Sequence, residues 1–300
     1  MRGMLDIPAG RDSLAVMTTV YLNGEYLPHD RAMISVDDRG FVFGDGIYEG
    51  IRAVEGRLFE WQAHADRMVD GLTGIRIAFG ADRVAELHGV CERLLRDNQL
   101  TTGDAFLYLQ VTRGSAPRAH AFPPPGTPPN VYVSATRLAR RVDQQQSGVK
   151  AVTCPDLRWA RCDWKTINLL GSVLARQAAV DAGAFEAIMY RDGVVTEGAS
   201  STIFGVVDGV LRTHPLGHRI LPSVTRKVIM ALIDELKLPI DEHAITEAEL
   251  RRADELFLCG TANNVTPIVS VDGRPIGTGS PGPITVQLRD ALDARLYGRG

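Results

Sequence analysis

The sequence predicts a mixed α and β protein (α+β) of two domains, because hairpin signals and amphipathic helical patterns interleave in both halves of its 300 residues. Asn23-Gly24 and Asp192-Gly193 each separate two short β-prone runs, as in type I′ hairpins. The run 82–98 places its apolar residues on one helical face. A chain of this length is long enough for two domains of ordinary size.

The first part of the chain predicts a small domain at 18–137. Residues 1–17 show no periodicity and are interpreted as a flexible N-terminal extension. The predicted elements are a hairpin at 20–27, a loop at 37–46, strands at 47–54, 57–60, 105–112 and 130–136, and helices at 61–72 and 82–98. A proline cluster at 122–129 predicts a stiff exposed loop.

The second part predicts a larger domain at 149–300, after a polar interdomain linker at 138–148. Its predicted strands are 149–153, 187–190, 194–196, 201–207, 210–213, 255–259 and 269–272. Its predicted helices are 171–182, 224–236, 247–253 and 283–297. Ser223 is expected to cap the helix that begins at Val224.

Composition excludes several classes of function. The net charge is −3 and no basic stripe stands out, so the sequence indicates no nucleic-acid partner. No apolar run approaches the length of a membrane span, and no secretory signal is visible. The four cysteines form no CxxC pair and the seven histidines are scattered, so we predict a cytoplasmic protein without a metal site.

Lys165 is the candidate around which the chemistry is built. It precedes an apolar helical run (Leu169, Leu170, Val173, Leu174 and Ala178) that is expected to face a core. Loss of solvation favours the neutral amine, and only the neutral amine attacks a carbonyl. This is the requirement for a Schiff-base lysine, although a lysine ahead of a helix is more often an ordinary surface residue.

Other residues supply what a lysine of this kind needs. Glu197 follows an apolar strand and is suited to holding a protonated ring nitrogen, while Thr225 and Thr261 offer hydroxyls and backbone N–H groups to a phosphate. Arg67 on its helix is suited to a bidentate phosphate contact. Each has an ordinary explanation by itself, as a hairpin, cap or surface residue. Together they describe a pyridoxal 5′-phosphate (PLP) site.

Two residues fit recognition of a substrate carboxylate. Arg118 and His120 stand two apart in a loop and present donors of the right kind, although a solvated loop is the simpler interpretation of this pair alone. Tyr48 is also left without a role in the cofactor site.

The sequence resembles the fold-type IV PLP enzymes, and most closely the D-amino-acid transaminases, from about residue 19 to 294. The most similar stretches are DRGFVFGDGIYE at 38–49, QVTRGSAPRAH at 110–120, LRWARCDWKTINLLG at 157–171 and VTEGASS at 195–201. The resemblance implies a small α/β N-terminal domain and a larger pseudo-barrel C-terminal domain. It also implies a homodimer in which the Arg118 loop reaches the other subunit.

The resemblance implies a role for each site residue. Lys165 is implied to bind PLP and to transfer protons, and Glu197 to contact the pyridine nitrogen. The other residues implied at the cofactor, several of them at its phosphate, are Arg67, Val224, Thr225, Thr261, Ser201 and Leu221. The residues implied at the substrate carboxylate are Tyr48, Arg118 and His120.

Some positions depart from the D-specific pattern. The segment EGIRA at 49–53 and the segment GTANNVTP at 260–267 are closer to branched-chain L-amino-acid transaminases. Those enzymes usually carry a tyrosine five residues after the lysine, where this chain has Leu170. We therefore predict transfer of an amino group from a D-amino acid, such as D-alanine, to 2-oxoglutarate or pyruvate.

Several alternatives stay open at this stage. Within the fold they are a branched-chain L-amino-acid transaminase, an (R)-amine transaminase and an aminodeoxychorismate lyase. From other classes they are a non-catalytic PLP-binding protein and a PLP-free Schiff-base aldolase.

Overall fold

Residues 18–298 are described by a computed structural model of the chain. The extension predicted at 1–17 lies outside the described residues. The mixed α and β class is confirmed, and the strands fall into two separate sheets.

The first sheet has six antiparallel strands in the order β2-β1-β6-β5-β3-β4. They are β1 (Thr19–Leu22), β2 (Glu25–Pro28), β3 (Gly46–Val54), β4 (Arg57–Leu58), β5 (Asp104–Thr112) and β6 (Val131–Arg137). Asn23 and Gly24 have φ of 52° and 101°, the left-handed conformations that a type I′ turn requires. The hairpin prediction is therefore confirmed.

Two helices cover one face of this sheet. They are α2 (Trp61–Gly74) and α3 (Ala81–Asp97), close to their predicted bounds. Their apolar stripes, which include Met68 and Leu94, pack against Ile47, Leu107 and other inward residues of the strands. A short helix, α1 (Arg39–Phe43), lies inside the predicted loop at 37–46, because the Asp38 side chain caps it by accepting from the Phe41 amide.

The second sheet has nine strands, with β15 beside β14 and the others in the order β12-β11-β10-β13-β14-β7-β8-β9. They are β7 (Val149–Pro155), β8 (Glu186–Arg191), β9 (Val194–Gly198), β10 (Thr202–Val207), β11 (Val210–Thr213), β12 (Ile240–Asp241), β13 (Glu255–Gly260), β14 (Asn264–Val271) and β15 (Arg274–Pro275). The Gly198 amide donates to the Ser201 carbonyl at 2.8 Å. The last strand, β9, also contacts β10, which stands third in the order, so the sheet curls as the predicted pseudo-barrel requires.

The remaining helices are α4 (Val142–Ser147), α5 (Leu170–Asp181), α6 (Val224–Glu235), α7 (Glu247–Arg252) and α8 (Pro283–Tyr297). Residues of α6 and α8 form one core with β10, β13 and β14. The prediction for Ser223 is confirmed, because its hydroxyl accepts from the Arg226 amide at 3.2 Å.

Some predicted bounds were wrong. The strand β14 begins at Asn264 rather than at the predicted 269, and the segment predicted as a linker, which stays a prediction, contains the short helix α4. Pro267 within β14 weakens its strand signal, although this residue pairs with Phe257 of β13. Glu197 lies within β9 rather than beyond it. The division into domains at 18–137 and 149–300 stays a prediction.

The expectation for the helix after Lys165 was also wrong. The buried face of α5 consists of Ala175 and Ala179, and the larger apolar residues point away from any core among the described residues. Leu170 is 67% exposed, and Val173 and Leu174 are exposed as well. Small residues fit closely against a sheet, so the helical period predicted the helix but not which face is buried.

Backbone hydrogen bonds join the two sheets at the lysine segment. The Tyr48 amide of β3 donates to the Lys165 carbonyl at 3.0 Å, and the Ile167 amide donates to the Gly46 carbonyl at 3.1 Å. Lys165 is therefore fixed to the outer edge of β3, where the two-residue strand β4 does not reach. Within residues 18–298, no helix is long and apolar enough to cross a membrane.

We expect Leu107→Ala to lower the free energy of unfolding by about 2–5 kcal/mol, because Leu107 is fully buried in the first core. Urea unfolding followed by circular dichroism measures the change. The control is Leu216→Ala, since Leu216 is 58% exposed and should change stability by less than about 0.5 kcal/mol. Equal effects of the two substitutions would contradict this core.

Candidate active site

A cavity of about 420 Å³ lies where the two sheets meet. Its volume falls in the range of small-molecule and cofactor sites. The predicted site residues that line it are Tyr48, Arg67, Lys165, Glu197, Ser201, Leu221 and Thr261. The structure therefore brings together, from distant places in the sequence, most of the residues that sequence reasoning selected.

The Lys165 side chain is partly buried, and its amine faces an aromatic ring. The Lys165 Nζ lies 4.2 Å from the centroid of the Tyr48 ring. Among residues 18–298, no carboxylate forms an ion pair with this amine. The apolar wall beside the lysine is thus Tyr48, with Leu169 and Val173 further along the cavity, rather than a buried helix face.

Glu197 is buried, and its carboxylate has two partners. It accepts from the Arg158 guanidinium and, at 3.0 Å, from the Leu221 amide. Burial raises the pKa of the Glu197 carboxyl, and the charge of Arg158 partly offsets this increase. A carboxylate held at a cavity wall in this way is suited to accept a hydrogen bond from a protonated ring nitrogen.

Arg158 was not among the predicted site residues. Its guanidinium bridges Glu197 and Asp156, with Nη2 of Arg158 at 2.8 Å from Oδ2 of Asp156. Burial alone would raise the pKa of Asp156, but hydrogen bonds and charge from Arg158 lower it to about 2. The spacing Asp156-x-Arg158 next to the lysine segment was the available signal.

Arg67 is buried rather than on the surface. It forms a bidentate pair with Glu49, with both N···O distances at 2.7 Å, and donates to the Pro222 carbonyl at 3.0 Å. His64 lies 2.7 Å from the same carboxylate. The predicted helix at 61–72 contains both His64 and Arg67, and their spacing of three residues indicates a shared helical face. Their common partner, Glu49, was not predicted.

The contacts of Arg67 bring it to the start of α6. The first amides of a helix have no intrahelical acceptor, so those of Val224 and Thr225 are available to an anion. Val224 and Thr225 line a second, small cavity rather than the main one, and Thr261 lines both. Donors for a phosphate therefore gather around the Gly260-Thr261 turn.

The residues present fit PLP. Lysine, carboxylate and phosphate donors border one space, and the buried Thr202 hydroxyl has no hydrogen-bond partner within the described residues although it lines the cavity. Ser201 donates to the buried Glu186 carboxylate at 2.8 Å, so its hydroxyl has a fixed orientation.

Arg118 and His120 do not meet Lys165 within one chain. Both are exposed, and neither lines the main cavity. His120 borders a different cavity, which shares Trp159, Thr166 and Asn168 with the first. Tyr48 is the single member of the predicted carboxylate group that the fold of one chain places beside the lysine.

Comparison with known proteins identifies the family. Residues 46–271 match the family described as amino-transferase class IV. This chain belongs to the class IV aminotransferases. It is 42% identical to the D-alanine aminotransferase of Staphylococcus haemolyticus over 283 residues, which are 94% of this chain and 99% of that enzyme. The family prediction is thus confirmed.

Solved structures confirm the fold of the family. The Escherichia coli branched-chain amino acid aminotransferase is 28% identical, with a TM-score of 0.87 and coverage of 94% of this chain and 95% of that one. The branched-chain aminotransferase of the archaeon Thermoproteus uzoniensis, solved with norvaline, is also 28% identical, with a TM-score of 0.82 and coverage of 94% of this chain and 95% of that one.

We expect Glu49→Gln to destabilise the protein at pH 7 by about 3 kcal/mol, because it leaves the buried Arg67 without its charge partner. Burial opposes ionisation of Glu49, but Arg67 and His64 lower its pKa from 4.5 to about 2. The stabilisation is therefore complete above the unfolded-state pKa of 4.5 and is lost as the pH falls towards 2.

Urea unfolding at pH 7, 5, 4 and 3 tests this dependence. The difference in stability between wild type and Glu49→Gln should narrow below pH 4.5. Glu25→Gln, at an exposed position, is the control and should leave the pH profile unchanged. A difference that stays constant down to pH 3 would show that folding does not lower the pKa of the Glu49 carboxyl.

Proposed function

We propose that this chain is a PLP-dependent transaminase that moves the amino group of a D-amino acid, such as D-alanine, to 2-oxoglutarate or pyruvate. The observation that carries the proposal is that Lys165 and Glu197 line one cavity, whose wall includes Thr261 and Arg67 near the start of α6. The name and 42% identity of the Staphylococcus haemolyticus relative support a D-amino acid as the donor.

The chain's own residues define how the cofactor would be held. Lys165 would bind it covalently, and Glu197 would accept a hydrogen bond from its ring nitrogen. The amides of Val224 and Thr225, the Thr261 hydroxyl and Arg67 would donate to its phosphate. Two donors of Arg67, Nε and Nη2, already pair with Glu49, so backbone amides and hydroxyls would supply much of the phosphate binding.

Bound PLP supplies an electron sink that stabilises a carbanion at the substrate Cα. No carboxylate among the described residues forms an ion pair with the Lys165 amine. Once the amine of the substrate has replaced Lys165 at the cofactor, the neutral Lys165 amine would therefore have its lone pair free to take the Cα proton. The buried Glu197 carboxylate favours a protonated ring nitrogen throughout. The reaction would run in two halves, with the D-amino acid reacting first and the 2-oxo acid second.

Recognition of the substrate carboxylate requires more than one chain in this proposal. Tyr48 stands at the cavity, whereas Arg118 and His120 lie outside it, so we propose that the partner of a homodimer supplies the latter two. Exposed apolar side chains offer an interface on both sides of the site: Met33, Ile34, Val36 and Phe41 on the first sheet's side, and Leu170, Val173 and Leu174 on α5.

Related activities serve as comparisons in the assay. The solved structures named above are branched-chain aminotransferases, so L-leucine is the donor to compare with D-alanine. (R)-1-phenylethylamine reports an amine transaminase, and release of pyruvate from aminodeoxychorismate reports a lyase. A cytoplasmic location stays a prediction.

We expect purified wild-type protein to show a visible cofactor absorption band that D-alanine bleaches in the absence of a 2-oxo acid. L-alanine and L-leucine should bleach it much more slowly. Lys165→Ala should lose both the band and turnover, because no other amine replaces its lone pair at the cavity. Stopped-flow absorbance measures the cofactor band and the rate at which each donor bleaches it.

Lys150→Ala is the matched control, since Lys150 is an exposed lysine on β7. It should keep the band and the full rate. Bleaching by L-leucine but not by D-alanine would refute the donor proposed here, and full turnover in Lys165→Ala would refute the role of Lys165.

We expect Lys165→Ala and Arg118→Ala subunits, each inactive as a homodimer, to regain activity when combined. The isolated heterodimer would contain one complete site, with about half of wild-type activity. Differently tagged subunits allow its purification, and light scattering checks its mass. If Arg118 acted within its own chain, neither site of the heterodimer would be complete and the mixture would stay inactive.

A further inference from the structure

The carboxylate of Asp45 joins two arginines, Arg39 at the start of α1 and Arg113 just after β5. Asp45 Oδ2 lies 2.9 Å from Arg39 Nε and 2.7 Å from Arg113 Nε, and Asp45 Oδ1 lies 2.9 Å from Arg113 Nη2. All three side chains are buried or nearly so. Arg113 also donates to the carbonyls of Ile75 and Arg76, which fixes the group to the end of α2.

The Arg39 guanidinium holds the loop that carries Arg118 and His120. Its Nη1 donates to the Ala119 carbonyl at 2.6 Å and to the Ala121 carbonyl at 3.3 Å. These two carbonyls belong to the residues on either side of His120. A single side chain therefore fixes the peptide plane between Ala119 and His120 and the peptide plane that follows Ala121.

The ring of Phe43 lies close to Arg39, Arg118 and His120. The Arg39 Cζ lies 4.7 Å from the centroid of the Phe43 ring, and the Arg118 Cζ lies 5.3 Å from it. The His120 ring centroid is 5.7 Å from that of Phe43. Arg118 and His120 thus share one ring as their support, although both are exposed and make no ion pair within residues 18–298.

Backbone contacts attach the loop to the segment that precedes Tyr48. The Arg39 amide donates to the Gly114 carbonyl at 2.9 Å, and the Ala116 amide donates to the Asp37 carbonyl at 3.2 Å. The segment then enters β3 at Gly46. Through this segment, the loop that carries Arg118 and His120 is connected to the strand that carries Tyr48.

We propose that Arg39, held in place by Asp45, is a positioning residue for recognition of the substrate carboxylate by Arg118 and His120. This inference rests on the proposed function. A loop of this kind loses conformational entropy when it orders around a ligand. Because Arg39 fixes the loop beforehand, that cost is removed from substrate binding.

The identity of the side chain matters for this role. The planar guanidinium of Arg39 directs Nε at Asp45 and Nη1 at the two carbonyls at the same time. A lysine would keep the ion pair with Asp45 but would reach the carbonyls less completely. With lysine or alanine at position 39, Asp45 keeps its bidentate pair with Arg113, so the Asp45 carboxylate retains a charge partner.

The experiment measures the half-reaction of the PLP-loaded dimer with D-alanine. We expect Arg39→Ala to raise the half-saturating D-alanine concentration about tenfold or more while the limiting rate changes less than about twofold. Arg39→Lys should lie between wild type and Arg39→Ala, and it serves as the test if Arg39→Ala does not fold. The cofactor absorption band and the Tm check that the fold and the cofactor are intact.

The matched control is Arg137→Ala. Arg137 also donates to two backbone carbonyls of the first sheet's loops, those of Thr102 and Gln99, but lies away from the 113–122 loop. It should change neither the half-saturating concentration nor the rate.

The outcomes separate this inference from the proposed function. Unchanged half-saturation in a folded Arg39 variant, or an effect confined to the limiting rate, would overturn the positioning role. Failure of wild type to react with D-alanine would overturn the proposed donor instead. In that case the same comparison is made with L-leucine, because the loop that carries Arg118 and His120 would have to bind its carboxylate as well.

Discussion

The pairing of β3 with the lysine segment is the contact on which the rest of the site depends. The amide of Tyr48 donates a hydrogen bond to the carbonyl of Lys165. This bond holds the lysine segment, which lies beside the second sheet, against β3 of the first sheet. The Lys165 amine faces the Tyr48 ring as a consequence. The cavity exists because two separately built sheets meet along this short pairing.

Paired buried charges surround that junction. A buried charge costs several kcal/mol unless it is paired and hydrogen-bonded. Glu49 compensates Arg67, Arg158 compensates Glu197, and Asp45 compensates two arginines. In the first two cases a residue that is expected to contact the cofactor is held by an oppositely charged partner, which fixes the direction of its side chain before any ligand binds.

The sequence allowed prediction of the residues that face ligands but not of the partners that hold them. Lys165, Glu197 and Thr261 could be selected because their chemistry is specific and their surroundings in the sequence are apolar or glycine-rich. Glu49 and Arg158 were missed because their partners, Arg67 and Glu197, are distant in the sequence. The spacing of Arg158 from Asp156 was a local signal, but it does not indicate the pairing with Glu197. The hairpins and long helices followed from short-range rules, whereas the two-residue strands β12 and β15 are set by their neighbours in the sheet.

The wrong prediction of a buried apolar face on α5 shows the same limit of local sequence patterns. Leu170, Val173 and Leu174 follow the helical period as core residues do, yet they are exposed in one chain, and Arg118 and His120 are exposed on the side of the first sheet. A periodic pattern reports that a face will be covered, not what covers it. If a second chain covers this face, the apolar period of α5 and the displacement of the Arg118 loop from its own cavity have one cause, since both would be completed by the same contact.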